Sequence, residues 1–460
     1  MSESEPAGTS AVDFRFLLSQ VWGEPWDLKL SATEMAARRD ERVRSIVRFA
    51  FERVPWYERA MRERGLEPED FRTAYDLALL PIVGHEALAS DPAAFLPRDV
   101  RIEDLLELRT SGSTMKARSI YHDPEGMIAG WAVKLRERAA RQRFIGERNY
   151  RSASLSLDGN PTKVRDHFRI IAPPLWKLIP EGRKYSVFED CARVVEGIRE
   201  WRPLHLAGYG SAIGRLFRYL AETGESMPLP KAITFSSDSM TASERRLIEE
   251  DFAIPVLGIY SATESFSIGF ECGEGEGYHV NEDVCVVRIV DPEGRTAEPG
   301  VVGSIIISNL VNRGTVLLNY HLGDVGSTVA GPCPCGRTLP RIQLHAGRDT
   351  LWIPRQGALP LHQYRLYRVM QSFGLDLFQV VQTDLKTFTV RIVPMPGKDH
   401  GGMEPEIRSA ISDLIGPGLE IAFEYPLELE RTRNGKVNSY IQRLPDGAPS
   451  SPAAFLRRDS

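Results

Sequence analysis

Hydroxyl side chains, a glycine and a lysine crowd into Thr110-Ser111-Gly112-Ser113-Thr114-Met115-Lys116, behind a short apolar run of Leu105, Leu106 and Leu108. Hydroxyls and backbone N–H groups in a tight turn form a concavity of donors that suits phosphate oxygens. A lysine adds a mobile point charge. Of the 57 Lys and Arg residues only ten are Lys, which gives weight to Lys116 at the end of such a loop. A solvated Ser/Thr turn is the plain alternative. The stretch is not a G-x-x-x-x-G-K-[ST] loop, because it holds one Gly and no hydroxyl follows Lys116.

Further along, Ile259-Tyr260-Ser261-Ala262-Thr263-Glu264 sets an aromatic ring beside hydroxyls and a carboxylate. The ring could stack on a base. A hydroxyl beside a carboxylate suits phosphate and Mg²⁺, which takes few protein oxygens and completes its shell with water and phosphate. The alternative is a helix start capped by Ser261 or Thr263. Phe235-Ser236-Ser237-Asp238-Ser239-Met240, read by itself, is a polar strand-to-helix turn. Arg431-Thr432-Arg433-Asn434-Gly435-Lys436, read by itself, is a basic β-turn. Cys272, His279, Cys333 and Cys335 offer three thiolates and one imidazole, a standard set for structural zinc. Their spacing departs from the usual C-x₂₋₄-C, so free thiols in Gly-rich loops stand as the alternative. Four protein ligands leave no open position, so such a metal would be structural. Cys191 and Cys285 read as core thiols.

The elements that must position these groups change texture along the chain. Residues 1–12 read as a disordered tail, and residues 13–30 as a short helix or hook. Ser31 is an N-cap candidate with Glu34 three residues on, and Val43, Ile46, Val47, Phe49 and Ala50 recur at helical spacing until Val54-Pro55 interrupts. Strand, hydroxyl-rich loop, strand at Ile120–Asp123, then a helix from Pro124 to about Gln142, is an α/β order. Ser152–Leu157, His205–Ala207 and Ala232–Phe235 are apolar runs, the last two each followed by a helical pattern, which predicts a mostly parallel sheet. Val284–Val290, Val302–Ser308 and Thr315–Leu318 predict a β-rich subdomain. Leu361–Phe373 reads as a helix, Leu377–Gln382 and Thr387–Val393 as a hairpin, Glu404–Leu414 as a helix and Leu419–Tyr425 as a strand. The division expected is a large domain over 1–346, a small α+β domain over 347–445 and a tail over 446–460. A net charge of -5 argues against a polyanion-binding surface over the whole chain. No apolar run approaches a membrane span, and no secretory signal is visible. Five Cys in 460 residues are not a disulfide scaffold, so a reducing cytoplasm is the default.

Taken in order, the motifs resemble those of adenylate-forming enzymes. The loop resembles [ST]-S-G-[ST]-T-G-K, with Met115 where that family usually has Gly. Tyr260–Glu264 resembles Y-G-x-[ST]-E, and Tyr320-His321-Leu322-Gly323-Asp324 resembles Y-x-x-G-D, with Asn319 where many relatives carry Arg. Arg431–Lys436 resembles P-R-[ST]-x-x-G-K, with Glu430 in place of Pro. The fit is closest to the phenylacetate–CoA ligase branch and covers about 85% of the chain, all but roughly the first forty residues and the tail.

The resemblance implies ATP-dependent adenylation of a carboxylic acid, an aromatic one in this branch, followed by acyl transfer, with CoA as the usual acceptor. An amine, hydroxyl or carrier protein as acceptor stays open, as does a nucleotide-binding protein without ligase activity. It implies that Thr110, Ser111, Gly112, Ser113, Thr114 and Lys116 hold the β- and γ-phosphates. Ser237, Asp238, Ser239, Tyr260 and Ser261 would meet the nucleotide, Asp324 the ribose, and Arg348 the ribose or α-phosphate side. Glu264 would hold Mg²⁺ beside Thr263, and Lys436 would bridge substrate carboxylate and α-phosphate. Tyr209, Ser236, Tyr260 and Phe266 flank matched segments and are the expected acid pocket, with Phe266 closer to core than to pocket. Some members of the branch carry zinc at positions matching Cys272, His279, Cys333 and Cys335. Neither nucleic acid nor membrane is an expected partner, and a homodimer is left open.

Overall fold

The computed structural model describes residues 30–110, 118–146, 150–157, 182–291, 293–348, 352–356, 358–375, 377–394, 400–431 and 437–444. The readings made on residues 1–29, 111–117, 432–436 and the tail lie outside the described residues. Helix α1 (Ala32–Arg53) starts as its sequence predicts. The Ser31 hydroxyl accepts from the Glu34 N–H at 3.3 Å, and the Glu34 carboxylate accepts from the Ser31 N–H at 2.9 Å. Val54 is extended, and Pro55 opens α2 (Pro55–Arg62), where a missing N–H costs nothing. Both helices, with α3 (His85–Ser90), bury Val43, Ile46, Val47, Tyr57 and Leu88 in one core.

Strands β1 (Leu106–Arg109) and β2 (Ser119–His122) pair antiparallel as a separate two-stranded ribbon. They do not join the parallel sheet that the strand–loop–strand–helix order suggests. A parallel pairing needs a crossover of a dozen or more residues, and the connection here is too short. Helix α4 (Pro124–Ile145) follows. Its fully buried Arg136 makes a two-pronged pair with Asp283, 2.7 Å on each side. Burial alone would raise the Asp283 pKa, but Arg136 outweighs it and brings the carboxyl down to about 2.

The parallel half of the main sheet comprises β3 (Ser152–Ser156), β4 (Gly182–Ser186), β5 (His205–Tyr209), β6 (Ala232–Ser236) and β7 (Val256–Ala262). Between them run α5 (Cys191–Trp201), α6 (Gly210–Thr223) and α7 (Ala242–Arg246). Val194, Val195, Ile198, Ile213, Leu216 and Phe217 pack on Leu206, Ile233 and Val256 of the sheet. Gly210 lets α6 start in close contact with the β6–α7 connection, since a Cβ there would lie 2.6 Å from the Met240 backbone nitrogen.

The sheet then changes character. Strand β7 is parallel to β6 but antiparallel to β8 (Phe266–Phe270), and β9 (Tyr278–Val280), β10 (Cys285–Val290), β11 (Gly303–Asn309), β12 (Tyr320–Val329) and β13 (Arg341–Arg348) continue antiparallel. The two predicted textures are therefore one mixed sheet of eleven strands, ordered β10-β11-β12-β13-β9-β8-β7-β6-β5-β3-β4. The strand expected at Thr315–Leu318 does not form. Its backbone bonds separately to Phe95, Tyr121 and Asn309, and the ladder begins at Tyr320.

A smaller unit closes the chain: β14 (Trp352–Arg355), β15 (Ala358–His362), α8 (Gln363–Ser372), β16 (Phe378–Gln382), β17 (Thr387–Ile392), α9 (Glu404–Ile415), β18 (Glu420–Glu424) and β19 (Tyr440–Gln442). Its four-stranded sheet, β18-β17-β16-β19, packs Val380, Phe388 and Val390 on Leu366, Met370, Ile407 and Ile411. The expected helix at 361–373 starts later, at Gln363, because Leu361 and His362 are the end of β15. No helix among the described residues is long and apolar enough to cross a membrane.

Candidate functional site

Ligands of open parallel sheets gather beyond the carboxyl ends of the strands. In this molecule those ends are Tyr209 on β5, Ser236 on β6 and Tyr260–Ala262 on β7. Tyr209 and Ser236 face each other in register, and both are half-buried. Ser237 turns the chain sharply with φ +74°, a value few non-glycine residues adopt. Asp238 then caps α6: its carboxylate accepts from the Ser211 N–H at 3.3 Å and from the Ser211 hydroxyl. The helix after this turn is capped by Thr241, not by Ser236–Ser239. Arg431 of the smaller unit donates to the Ser211 hydroxyl at 2.8 Å. A residue of the basic Arg431–Lys436 motif thus meets the α6 serine that Asp238 also binds.

Tyr260 and Asp324 meet although they lie on β7 and β12, four places apart in the sheet order. A flat sheet would separate those strands by roughly 19 Å at about 4.8 Å per strand. The Tyr260 hydroxyl nevertheless donates to Asp324 Oδ2 at 2.9 Å, so the antiparallel half curls back on itself. Burial first, and the Asp324 carboxylate second, hold the Tyr260 phenol well above its ordinary pKa, so it stays a donor. A β-bulge follows Asp324, and the register sets Arg348 opposite it. Asn319 is buried with φ +52°, accepts from Arg288 at 2.7 Å and donates to the Leu80 carbonyl at 2.7 Å. It anchors the segment that leads into Asp324.

Ser261 and Ala262 finish β7, and Thr263–Ser265 turn directly into β8. A hairpin, not a capped helix, therefore presents Glu264. Two side chains fix its backbone. The His122 ring Nε2 lies 2.8 Å from the Thr263 carbonyl, and Asn309 donates to the Glu264 carbonyl at 3.1 Å. A carbonyl only accepts, so Nε2 carries the proton. His122 is fully buried, and burial takes its pKa down to about 4, leaving a neutral ring. Phe266 has φ +46°, its ring lies 4.1 Å from that of His122, and it packs with Leu106, Leu108 and Met127. This places the half-buried Phe266 against the β1–β2 ribbon. Thr110 closes the ribbon: its N–H donates to the Arg118 carbonyl at 2.9 Å, and its hydroxyl accepts from the Arg118 N–H at 3.0 Å.

Ser111, Gly112, Ser113, Thr114, Lys116 and Lys436 lie outside the described residues. The described flanks, Arg431 and Val437, form an antiparallel bridge. Sequence reasoning missed His122 and Ser211, whose roles depend on packing between distant segments. The inward alternation of Ile120 and His122 behind the hydroxyl loop is the one signal that pointed at the former.

The cysteine–histidine set assembles away from these strand ends. Cys272, His279, Cys333 and Cys335 place their ligand atoms within 4.8 Å of one another. Cys272 Sγ and Cys333 Sγ are 3.6 Å apart, and Cys335 Sγ is 3.3 Å from His279 Nε2. A disulfide would need about 2.05 Å. Tetrahedral bonds of about 2.3 Å to one zinc put sulfurs roughly 3.8 Å apart, so the set fits that ion. Burial pushes the Cys333 thiol up to about 11. Burial also works against the Cys335 thiolate, but the Arg337 backbone N–H and side chain outweigh it and lower its pKa.

No family model matches the chain. It is 25% identical over 451 residues to the phenylacetate-coenzyme A ligase of Thermus thermophilus, covering 90% of this chain and 97% of that protein. To the phenylacetate-coenzyme A ligase of Aromatoleum evansii it is 22% identical over 445 residues, covering 91% and 96%. Among solved structures, 2-hydroxyisobutyryl-CoA ligase in its postadenylation state with 2-HIB-AMP superimposes with a TM-score of 0.70 at 17% identity, over 94% of each chain.

Proposed function

We propose that this chain, a homologue of the phenylacetate-coenzyme A ligases built on the fold of adenylate-forming acyl-CoA ligases, is an AMP-forming ligase of a carboxylic acid. A carboxylate oxygen attacks the α-phosphorus of ATP, the bond to the β-phosphate breaks, and pyrophosphate leaves. The sulfur of CoA then attacks the acyl carbonyl and releases AMP. Two anions must approach in the first step, so catalysis is largely charge neutralisation and alignment. The observation that carries the reading is the Tyr260–Asp324 hydrogen bond between strands four places apart, with Arg431 of the smaller unit on the same Ser211 hydroxyl that Asp238 binds.

On this reading Asp324 accepts from the ribose hydroxyls while Tyr260 orients its second oxygen. Ser237–Ser239 line the base. The loop from Thr110 to Lys116 holds the outer phosphates, and Arg348 lies on the ribose side. The buried Glu264 carboxylate beside the Thr263 hydroxyl is a donor set of few, hard oxygens, which fits Mg²⁺; the ion would neutralise phosphate charge. Lys436 neutralises carboxylate and α-phosphate as they meet. Tyr209 and Ser236 line the acid pocket, which suits an aryl acid. Cys272, His279, Cys333 and Cys335 hold a structural zinc that pins two loops. Residues 1–346 form the large domain and 347–445 the lid that carries Lys436.

The test is to incubate the protein with MgATP and a panel of aryl and small aliphatic acids, with and without CoA. We expect AMP and acyl-CoA when CoA is present and acyl-AMP with pyrophosphate when it is absent. AMP formation that ignores the acid in every case would sink the reading.

A further inference from the structure

Arg118 leaves the hydroxyl-rich loop and enters β2. Among the described residues, its Nε and Nη1 are buried and have no hydrogen-bonding partner. Most polar atoms buried this deeply find a partner, and a buried cation without one is costly. Side chains alternate along an extended chain. Arg118 therefore shares a face with Ile120 and His122, both fully buried. That face meets the Thr263–Phe266 hairpin, through the His122 contact to the Thr263 carbonyl and the His122–Phe266 ring contact. At about 3.3 Å per residue, Arg118 precedes His122 by roughly 13 Å along the strand, at the end of the ribbon where it pairs with Thr110. On the opposite face, Ser119 donates to Glu107, and Arg109 pairs with that same carboxylate. The cations of this ribbon are thus sorted: Arg109 is paired on the exposed face, and the half-buried Arg118 keeps one guanidinium edge, Nε and Nη1, buried and unsatisfied.

We infer that Arg118 is a further anion-binding residue of the site, whose Nε–Nη1 edge takes two oxygens of the β- or γ-phosphate of ATP and then of the departing pyrophosphate. That edge is a planar two-donor fork, the geometry that suits phosphate. No bond is made or broken by Arg118; it neutralises charge on the leaving group.

The inference rests on the adenylation reading, and calorimetry separates the two. The parent protein, Arg118→Met and Arg118→Lys are titrated with inorganic pyrophosphate, ATP and AMP in the presence of Mg²⁺. Arg118→Met should weaken pyrophosphate and ATP on the order of tenfold or more and AMP less than twofold. Arg118→Lys should recover only part, because an ammonium lacks the fork. The ligand-free melting temperature of Arg118→Met should equal or exceed that of the parent, since two buried unsatisfied donors are removed. Unchanged pyrophosphate affinity, or equal weakening of all three ligands, overturns the assignment. So does a ligand-free melting temperature well below the parent's, which would mean that Arg118 is paired structurally. A parent that binds pyrophosphate through Arg118 but forms no AMP from any acid keeps this inference and sinks the ligase reading. A parent that forms AMP while Arg118→Met binds pyrophosphate normally does the reverse.

Discussion

The cysteine–histidine cluster and the strand-end site are both built from segments far apart in sequence, yet they are finished differently. Cys272, His279, Cys333 and Cys335 point at one another, with ligand atoms within 4.8 Å, and four donors leave no position for a substrate. At the strand ends, by contrast, the polar groups are held from behind. His122 and Asn309 grip the backbone of Thr263 and Glu264, and Tyr260 fixes one oxygen of Asp324. A closed set contributes stability, whereas at the strand ends the bracing falls on the backbone carbonyls of Thr263 and Glu264 and on one oxygen of Asp324.

The largest effect should come from breaking the braced site. Lys436→Ala should abolish acid-dependent pyrophosphate release and leave ATP affinity nearly intact. A group that acts mainly in the transition state lowers kcat more than it raises KM. A variant with undiminished kcat would remove Lys436 from the chemistry.

Breaking the closed set should act on stability instead. Purified protein should carry about one equivalent of zinc by elemental analysis. Cys333→Ser should lower metal content and melting temperature together, because a metal bound only by the folded state stabilises it. Activity measured well below the melting temperature should change less. If metal-depleted protein keeps its melting temperature but loses turnover, the contrast drawn between the two regions is wrong.

The smallest effect sharpens the role of His122. Its folded pKa, about 4, lies below the ordinary value of 6.5. The unfolded chain therefore takes the proton first. Its contribution is complete above pH 6.5 and is lost as pH falls from 6.5 to about 4, up to about 3 kcal/mol. His122→Gln keeps a donor for the Thr263 carbonyl and cannot titrate. Urea unfolding at several pH values should give that variant a flatter profile across the window. An identical slope in parent and variant would show that burial of the neutral ring is not the cause.

Legibility in the sequence followed the range of the interaction. Local rules sufficed for the Ser31–Glu34 capping box, the break at Val54-Pro55, the hairpin around Asp384 and the alternation of strand and helix from Ser152 to Ala262. The motif resemblance picked out Tyr260, Glu264 and Asp324 as site residues, but nothing in it predicts that a tyrosine hydroxyl would bond Asp324 across a curled sheet. Thr315–Leu318 misled because a buried β-rich run can be satisfied one bond at a time by loops. His122 and Ser211 stayed hidden because their partners are remote in sequence and carry no local pattern of their own. The cysteine–histidine set was legible from ligand types, although its spacing is irregular, because the β8–β9 connection, β9 itself and the β12–β13 connection converge where β9 pairs with β13.

The most direct test of the central claim is ATP–pyrophosphate exchange without CoA. Label should pass from pyrophosphate into ATP only when a cognate carboxylic acid is present, because exchange requires reversible formation of acyl-AMP at the braced site. Exchange that proceeds equally without acid, or that is absent with every acid while CoA-dependent turnover is observed, would contradict the account.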